Sequence, residues 1–165
     1  MKKSVFLGLL AGIVLAACEK PEELVPVEQA VQGVYAGWTN ATAAYFPDGM
    51  ANDGDSIVVT AVKEGVVKVD YHSTSWGTAT FNSVAVSESE EGYVFQEAEG
   101  TIAISLGGSP HGGGAAPKEY AAILKQGVIS KDKKTYEFVI SAPAVMGGTT
   151  LTFKEGEMEF KVYRL

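Results

Sequence analysis

The chain has 165 residues, a formal net charge of −7 and a single cysteine. An excess of acidic over basic side chains repels nucleic acid, and no nucleic-acid-binding motif is present, so we expect no nucleic-acid partner. One cysteine excludes an intramolecular disulfide and a cysteine-rich zinc site.

Residues 1–17 have the organisation of a bacterial export signal. Lys2 and Lys3 form a positive start, and residues 5–15 form an uncharged apolar run that is too short to span a bilayer comfortably. Two alanines follow and lead directly into Cys18. An ordinary secretory signal and an uncleaved anchor are the alternatives at this point.

The sequence LAAC, which ends at Cys18, resembles the bacterial lipobox. The resemblance implies acylation of the Cys18 sulfur, removal of residues 1–17 as a lipoprotein signal peptide, and acylation of the new amino group. Two acyl chains hold a protein stably on a membrane, whereas one does not. We therefore expect a lipid-anchored protein of the cell envelope, on the periplasmic or the surface face of the outer membrane.

Residues 18–32 predict the lipidated cysteine followed by an acidic tether. Prolines and glutamates dominate this stretch and periodicity is weak, so we expect it to be extended and solvated. The acidic residues after Cys18 also resemble the surface-export signals of some Gram-negative lipoproteins, and a charged linker explains the same residues.

From residue 33 to residue 165 the sequence predicts an all-β domain. Short runs rich in valine, isoleucine, threonine, tyrosine and phenylalanine alternate with turn residues, and no long segment has a helical stripe. The predicted strands are 33–40, 56–62, 66–72, 78–86, 92–96, 101–106, 118–129, 135–141, 149–154 and 157–164.

Strict alternation along three of these strands predicts one buried and one mostly polar face. The predicted inward residues are Val67, Val69 and Tyr71, then Tyr136, Phe138 and Ile140, and finally Met158, Phe160 and Val162. About eight to ten meandering strands hide their edges by closing into an antiparallel up-and-down barrel. A two-sheet β-sandwich is the alternative fold.

A lipobox, an acidic tether and the stretch GVYAGWT at 33–39 together resemble the calycin-like β-barrel lipoproteins of Gram-negative bacteria. The stretches 76–86, 120–130 and 151–157 fit the same family. The resemblance covers about residues 33–157 and implies a lipocalin-like barrel. Because calycins at large hold small ligands, it also implies a small apolar or amphipathic ligand.

Lipocalins begin their first strand with Gly-x-Trp, and a basic residue near the C-terminus packs across that indole. The matching residues are Gly33 and Tyr35, and Arg164 is the only arginine of the chain. An arginine on an apolar strand face can lie over an aromatic ring. We expect Arg164 to close the barrel beside Tyr35 in a structural role. A frayed terminal residue is the alternative.

Residues with catalytic potential are sparse. Asp70, His72 and Ser73 provide the side chains of a hydrolytic triad, but Asp70 and His72 share an outward strand face and no strained nucleophile turn is present. The glycine-rich stretch 107–117 lacks the Gly-Lys-Ser/Thr ending of a phosphate-binding loop. It predicts a flap or a simple connection. We therefore expect no enzyme activity.

Residues 47–56 concentrate oxygen-bearing side chains that suit calcium. The spacing is not that of an EF-hand, because Met50 occupies the third position counted from Asp48 and no glutamate closes the loop. We expect a solvated turn at 47–56, and no metal or other cofactor in the protein.

Two non-enzymatic functions remain. In the first, the barrel binds a small apolar or amphipathic ligand, since barrel mouths are common ligand sites. The candidate binding residues are Tyr71, Trp76, Phe81, Tyr136 and Phe138. The alternative is an interaction or accessory lipoprotein of an outer-membrane or glycan-capture assembly, with a filled barrel and an envelope protein as partner. A connected interior cavity distinguishes the two.

Overall fold

The computed structural model describes residues 25–104 and 116–156. The predicted strand 157–164 lies outside the described residues, as do Cys18 and Arg164. The described elements are α1 (Val27–Ala30), β1 (Gly33–Ala43), β2 (Phe46–Lys63), β3 (Val66–Ser73), β4 (Gly77–Glu88), β5 (Gly92–Phe95), β6 (Ala98–Ile104), β7 (Lys118–Ser130), β8 (Tyr136–Ala142) and β9 (Thr149–Glu155).

The strands form a closed antiparallel up-and-down barrel. Neighbours pair in sequence from β1 to β4 and from β7 to β9, and β9 pairs with β1 to close the wall. Strands β5 and β6 lie end to end between β4 and β7, with the same register on both sides of their break. The wall therefore has eight strand positions, which confirms the predicted barrel and not the sandwich.

Alternation places the apolar side chains inside the barrel. Val67, Val69 and Tyr71 are fully buried, and Phe138 is fully buried on β8. Polar side chains face outward and form ion pairs along the wall, such as Lys68 with Asp70 at 2.8 Å and Lys154 with Glu137 at 2.7 Å. The inward faces predicted for β3 and β8 are confirmed.

Two irregularities keep the long strands β4 and β7 facing the core along their whole length. On β4, Phe81 and Val84 are both buried, and two exposed residues separate them. On β7, Leu124 and Gly127 are both buried, and two exposed residues again separate them. Each lies at a register shift in its ladder. At each shift the strand contains one extra residue, which keeps the apolar side chains on both sides of the shift facing the barrel interior.

Glycines on neighbouring strands make room for the largest core rings. A Cβ at Gly127 would lie 2.6 Å from the ring of Phe138, and a Cβ at Gly37 would lie 3.2 Å from the ring of Phe153. The same arrangement recurs between Gly100 and the ring of Phe81. These glycines are needed for space, because an eight-stranded barrel has little interior volume.

The structure corrects the prediction of a turn at 47–56, because these residues belong to strand β2. Strand β1 continues to Ala43 and pairs with Phe46, so the hairpin turn falls at residues 44–45. Gly54 is the extra residue of a bulge, with φ +77°. Bulge glycines and polar residues imitate a turn in sequence, although here they belong to a long twisted ribbon.

The end of the predicted tether is also corrected, because it is helical and packed onto the barrel. Val31 is fully buried beyond the helix Val27–Ala30, and the side chain of Glu28 accepts a hydrogen bond of 3.0 Å from the Gly65 amide. Val31, which follows the short helix, covers the barrel end. The polarity of the individual residues in the sequence does not reveal this contact. Within the described part of the chain, no helix is long and apolar enough to cross a membrane.

The barrel has two ends, which we name by what lies there. The helical end carries α1 and the turns 64–65, 89–91 and 131–135. The hairpin end carries the turns 44–45, 74–76 and 143–148. These names locate the candidate sites described below.

We expect Gly127→Ala to lower the free energy of unfolding by about 1–3 kcal/mol, because the new methyl group would overlap the Phe138 ring in a packed interior. Urea unfolding measures the change. Ser87→Ala, at an exposed position of β4, serves as the control and should change stability by less than about 0.5 kcal/mol. Equal effects of the two substitutions would show that the ring does not depend on this glycine.

Candidate functional site

The barrel interior is packed with aromatic rings. Phe153 is the centre of the packing, with ring centroids 6.4 Å from Tyr71, 5.9 Å from Tyr136 and 6.4 Å from Phe138. Phe138 in turn meets Phe95 at 5.1 Å. Three predicted ligand-binding residues, Tyr71, Phe81 and Phe138, are fully buried in this core. Their side chains fill the barrel.

A polar network lies inside the barrel toward the hairpin end. The Tyr71 hydroxyl donates to the Asp55 carboxylate at 2.9 Å and also lies 2.9 Å from the Thr39 hydroxyl. The side-chain amide of Asn52 donates to the other oxygen of the Asp55 carboxylate at 2.6 Å. Asp55 is only 1% exposed, and burial raises the pKa of Tyr71. Donors on both oxygens make this carboxylate a structural anchor for the long β2 ribbon.

This network does not have the form of a calcium site. The Asn52 amide nitrogen points at Asp55, so the two side chains are hydrogen-bonded and not arranged as two oxygen ligands. Among residues 25–104 and 116–156, no group of three or more histidine, cysteine or acidic side chains is placed to hold a metal. The stretch 47–56 is best described as a polar strand.

Trp76, another predicted ligand-binding residue, covers the hairpin end. Its indole is 8% exposed and lies 5.8 Å from the ring of Phe46. Its backbone amide donates to the Ser73 hydroxyl at 3.0 Å, which shapes the turn that carries it. Tyr45, which precedes Phe46 in the sequence, is by contrast 81% exposed. Trp76 therefore acts as an apolar cover of this end.

In the structure, Asp70 and Ser73 of the conceivable triad have other hydrogen-bond partners. Asp70 lies on the outer wall, where its carboxylate pairs with Lys68 and accepts a hydrogen bond of 2.8 Å from Thr80. His72 is exposed on the same face, and the Ser73 hydroxyl accepts hydrogen bonds from turn amides. The predicted outward position of Asp70 and His72 is confirmed. The absence of enzyme activity stays a prediction.

A groove of about 330 Å³ opens at the helical end, and we name it the tyrosine groove. It is lined by Ser89, Glu91, Gly92, Tyr93, Val94, Val128, Ile129, Ser130, Thr135, Tyr136, Glu137, Lys154 and Glu155. Strands β5, β7, β8 and β9 thus contribute to one concave surface. A groove that combines two aromatic rings with charged groups has the composition of a small-ligand site.

Tyr136 is held firmly at the inner side of the tyrosine groove. Its ring stacks on Phe153 and meets the edge of Tyr35 at 5.1 Å. Its hydroxyl donates to the Ala36 carbonyl, and its amide donates to the Glu155 carboxylate at 3.0 Å. Burial, and secondarily the Glu155 charge, raises the pKa of Tyr136. Packing on several sides gives a preorganised aromatic wall.

The charged groups of the groove are predominantly acidic. Its lining contains three glutamates and one lysine, Lys154. The Lys154 ammonium lies 2.7 Å from Glu137, and this hydrogen bond raises the pKa of Lys154. Within the described ranges, Glu91 and Glu155 form no ion pair with a lysine. The Glu155 charge also contributes to the raised pKa of Lys154, so one lysine faces two of the three glutamates and the groove keeps an excess of carboxylates beside the tyrosine rings.

Two of the three predicted barrel-closure residues, Gly33 and Tyr35, lie at the helical end. Tyr35 is 5% exposed, its hydroxyl donates to the Val31 carbonyl at 2.7 Å, and burial raises its pKa to about 12. It stands beside Gly33 at the start of β1. Arg164 lies outside the described residues, so its contact with Tyr35 stays a prediction.

Of the five predicted ligand-binding residues, Tyr136 alone lines the tyrosine groove. Sequence reasoning missed Tyr93 and Glu155. Alternation offered a signal for both, because Tyr93 is in phase with buried Phe95 and Glu155 is in phase with buried Phe153. Both residues lie at strand ends, where the inward face reaches solvent.

Comparison with known proteins supports the fold. The chain is similar to a crystal structure described as a "putative outer membrane protein" from Bacteroides fragilis NCTC 9343, with a TM-score of 0.59, 23% sequence identity and coverage of 80% of this chain. The match spans 46% of that protein's chain, so the likeness concerns less than half of it. No protein-family model and no curated protein matches the chain. A calycin-like barrel fits in outline, and the likeness shows the fold alone.

We expect Tyr35→Phe to alter the alkaline limb of the stability profile. The folded pKa of about 12 exceeds the ordinary value of 10.0, so above pH 10 the unfolded chain releases this proton first and stability falls as pH rises toward 12. Tyr35→Phe removes this pH-dependent loss of stability. At neutral pH the substitution lowers the free energy of unfolding by about 1 kcal/mol, because the hydrogen bond to the Val31 carbonyl is lost.

Urea unfolding at pH 8 and pH 11 measures this difference, and exposed Tyr45→Phe is the control. The Tyr45 variant should lose as much stability between the two pH values as the wild type, and the Tyr35 variant should lose less. Parallel losses in all three proteins would contradict the assignment.

Proposed function

We propose that the chain is a non-enzymatic, lipid-anchored binding protein of the cell envelope that takes a small amphipathic ligand at the tyrosine groove. The observation that carries this proposal is the contrast between the two possible sites. Aromatic rings fill the barrel interior, whereas the groove is open, partly apolar and about 330 Å³ in volume. Small-ligand sites have volumes from about 300 Å³ upward.

The position of the groove relative to the anchor supports this function. The groove and α1 share the helical end, so the chain enters the barrel at the groove's end. Eight residues separate Cys18 from Val27, and this distance is at most roughly 30 Å when the chain is extended. An acylated Cys18 would keep the groove near the lipid surface, where amphipathic molecules concentrate.

The character of the outer wall agrees with a barrel held beside the membrane. Lysine–carboxylate pairs lie along it, including Lys68 with Asp70 and Lys125 with Glu97. Membrane-spanning barrels carry an apolar band on the outside and a polar interior. This barrel has its apolar side chains inside. Attachment through lipid on Cys18 is therefore the mode of membrane association that we propose.

The proposed binding site is tested with 2-phenylethanol, a small amphipathic and neutral molecule. Calorimetric titration uses the mature protein in nanodiscs, with empty nanodiscs as the blank. We expect roughly millimolar affinity, as for a fragment of this size. Tyr93→Ala should weaken binding several-fold, whereas Tyr45→Ala at the hairpin end should not change it. Absence of binding, or equal effects of both substitutions, would refute the groove as the site.

The anchor is tested by Cys18→Ser, which removes the thiol that carries the lipid. We expect the variant to remain unprocessed by the lipoprotein signal peptidase and to lose the acyl chains that hold the body on the membrane. Metabolic labelling with a fatty acid, followed by detergent phase partitioning, measures both effects. Equal labelling of the variant and the wild type would show that the lipobox assignment is wrong.

A further inference from the structure

We infer that the tyrosine groove selects ligands that carry a primary ammonium group on an apolar stem. This inference rests on the proposed function and adds the charge of the ligand to it. Three features carry it: the excess of carboxylates over lysines in the groove lining, the fixed position of one carboxylate beside an aromatic ring, and an apolar floor in the same groove.

The lysines around the groove are already paired. Lys154 lines the groove and is held at 2.7 Å by Glu137. Lys131, which follows groove residue Ser130, lies 3.0 Å from Glu88. Glu91 and Glu155 remain without an ion pair among the described residues. A bound monovalent cation would reduce the excess negative charge of the groove, whereas a bound anion would add to the repulsion.

Glu155 is oriented for an incoming cation. One carboxylate oxygen, Oε2, accepts the hydrogen bond from the Tyr136 amide at 3.0 Å, which holds the side chain next to the Tyr136 ring. No described residue donates a hydrogen bond to Oε1. The free oxygen of an anchored carboxylate is a strong acceptor for an ammonium hydrogen.

The aromatic and aliphatic parts of the groove suit the remainder of such a ligand. Tyr93 and Tyr136 offer rings that attract a cation through their faces, and the attraction grows where water is excluded. Val94 and Val128, which face each other across the β5–β7 ladder, form the aliphatic floor for the stem. A carboxylate, an aromatic wall and an aliphatic floor together favour an amphipathic amine over a neutral or an anionic molecule of the same shape.

The experiment compares three molecules that differ in one group: 2-phenylethylammonium, 2-phenylethanol and phenylacetate. Each is titrated calorimetrically at pH 7 into the mature protein in nanodiscs, with empty nanodiscs as the blank. We expect the ammonium compound to bind at least tenfold more tightly than the alcohol, and phenylacetate to bind most weakly. Raising the salt concentration should weaken binding of the ammonium compound, strengthen binding of phenylacetate and leave binding of the alcohol unchanged.

Substitutions locate the preference. Glu155→Gln keeps an acceptor oxygen for the Tyr136 amide and removes the charge, so it should bring the ammonium compound close to the affinity of the alcohol. Glu91→Gln, in an exposed turn, should reduce the preference without affecting folding. Glu99→Gln, on an exposed part of β6 outside the groove lining, is the matched control and should leave all three affinities unchanged.

The outcomes separate the inference from the proposed function. Equal binding of the ammonium compound and the alcohol would overturn the inference and leave the groove as a binding site. Tighter binding of phenylacetate would overturn it as well. A preference that survives both Glu155→Gln and Glu91→Gln would assign the selectivity elsewhere and refute it. Failure of all three molecules to bind would refute the groove as a site and, with it, the inference.

Discussion

The packing of phenylalanine rings over glycines inside a small barrel is the constraint on which the rest of the structure depends. Phe153 lies on β9, the strand that closes the wall, and contacts rings from β3 and β8. It reaches this position because Gly37 on β1 has no side chain to obstruct it. Phe138 and Gly127 repeat the arrangement on the next pair of strands. Barrel closure and core packing therefore depend on each other, since each large ring needs its glycine partner aligned across the ladder.

In the proposed function, the rings that occupy the interior direct a ligand to the ends of the barrel. Calycin barrels with wide interiors enclose their ligands, whereas here the rings leave the barrel ends as the accessible concave surfaces. Trp76 covers the hairpin end. At the helical end the inward faces of β5, β8 and β9 reach solvent and bring Tyr93, Tyr136 and Glu155 into one groove. The same end receives the chain from the predicted anchor, which connects the proposed binding site with the proposed membrane attachment.

Much of the fold was predictable because it depends on local periodicity. Alternation identified the inward faces of β3 and β8, and turn residues marked the spacing of the strands. Errors arose where local chemistry imitates another structure. The glycines and acids of 47–56 look like a turn, yet they form part of β2 because β1 supplies a continuous partner. The residues before Gly33 look like a solvated tether, yet Val31 is buried because the open barrel end offers an apolar surface.

The sequence by itself determined the all-β class and the inward faces of β3 and β8, because these depend on the alternation of neighbouring residues. Lipid attachment at Cys18 stays a prediction from a short motif. The tertiary structure decided that Phe138 packs against Phe95 and Phe153 and that Asp55 is buried, because both outcomes depend on ladders between distant segments. It also decided the composition of the groove. Tyr93 and Glu155 are 62 residues apart in the chain, and only the closed wall of the barrel brings them together. Periodicity assigns a side chain to a face, but non-local pairing and register decide which faces meet.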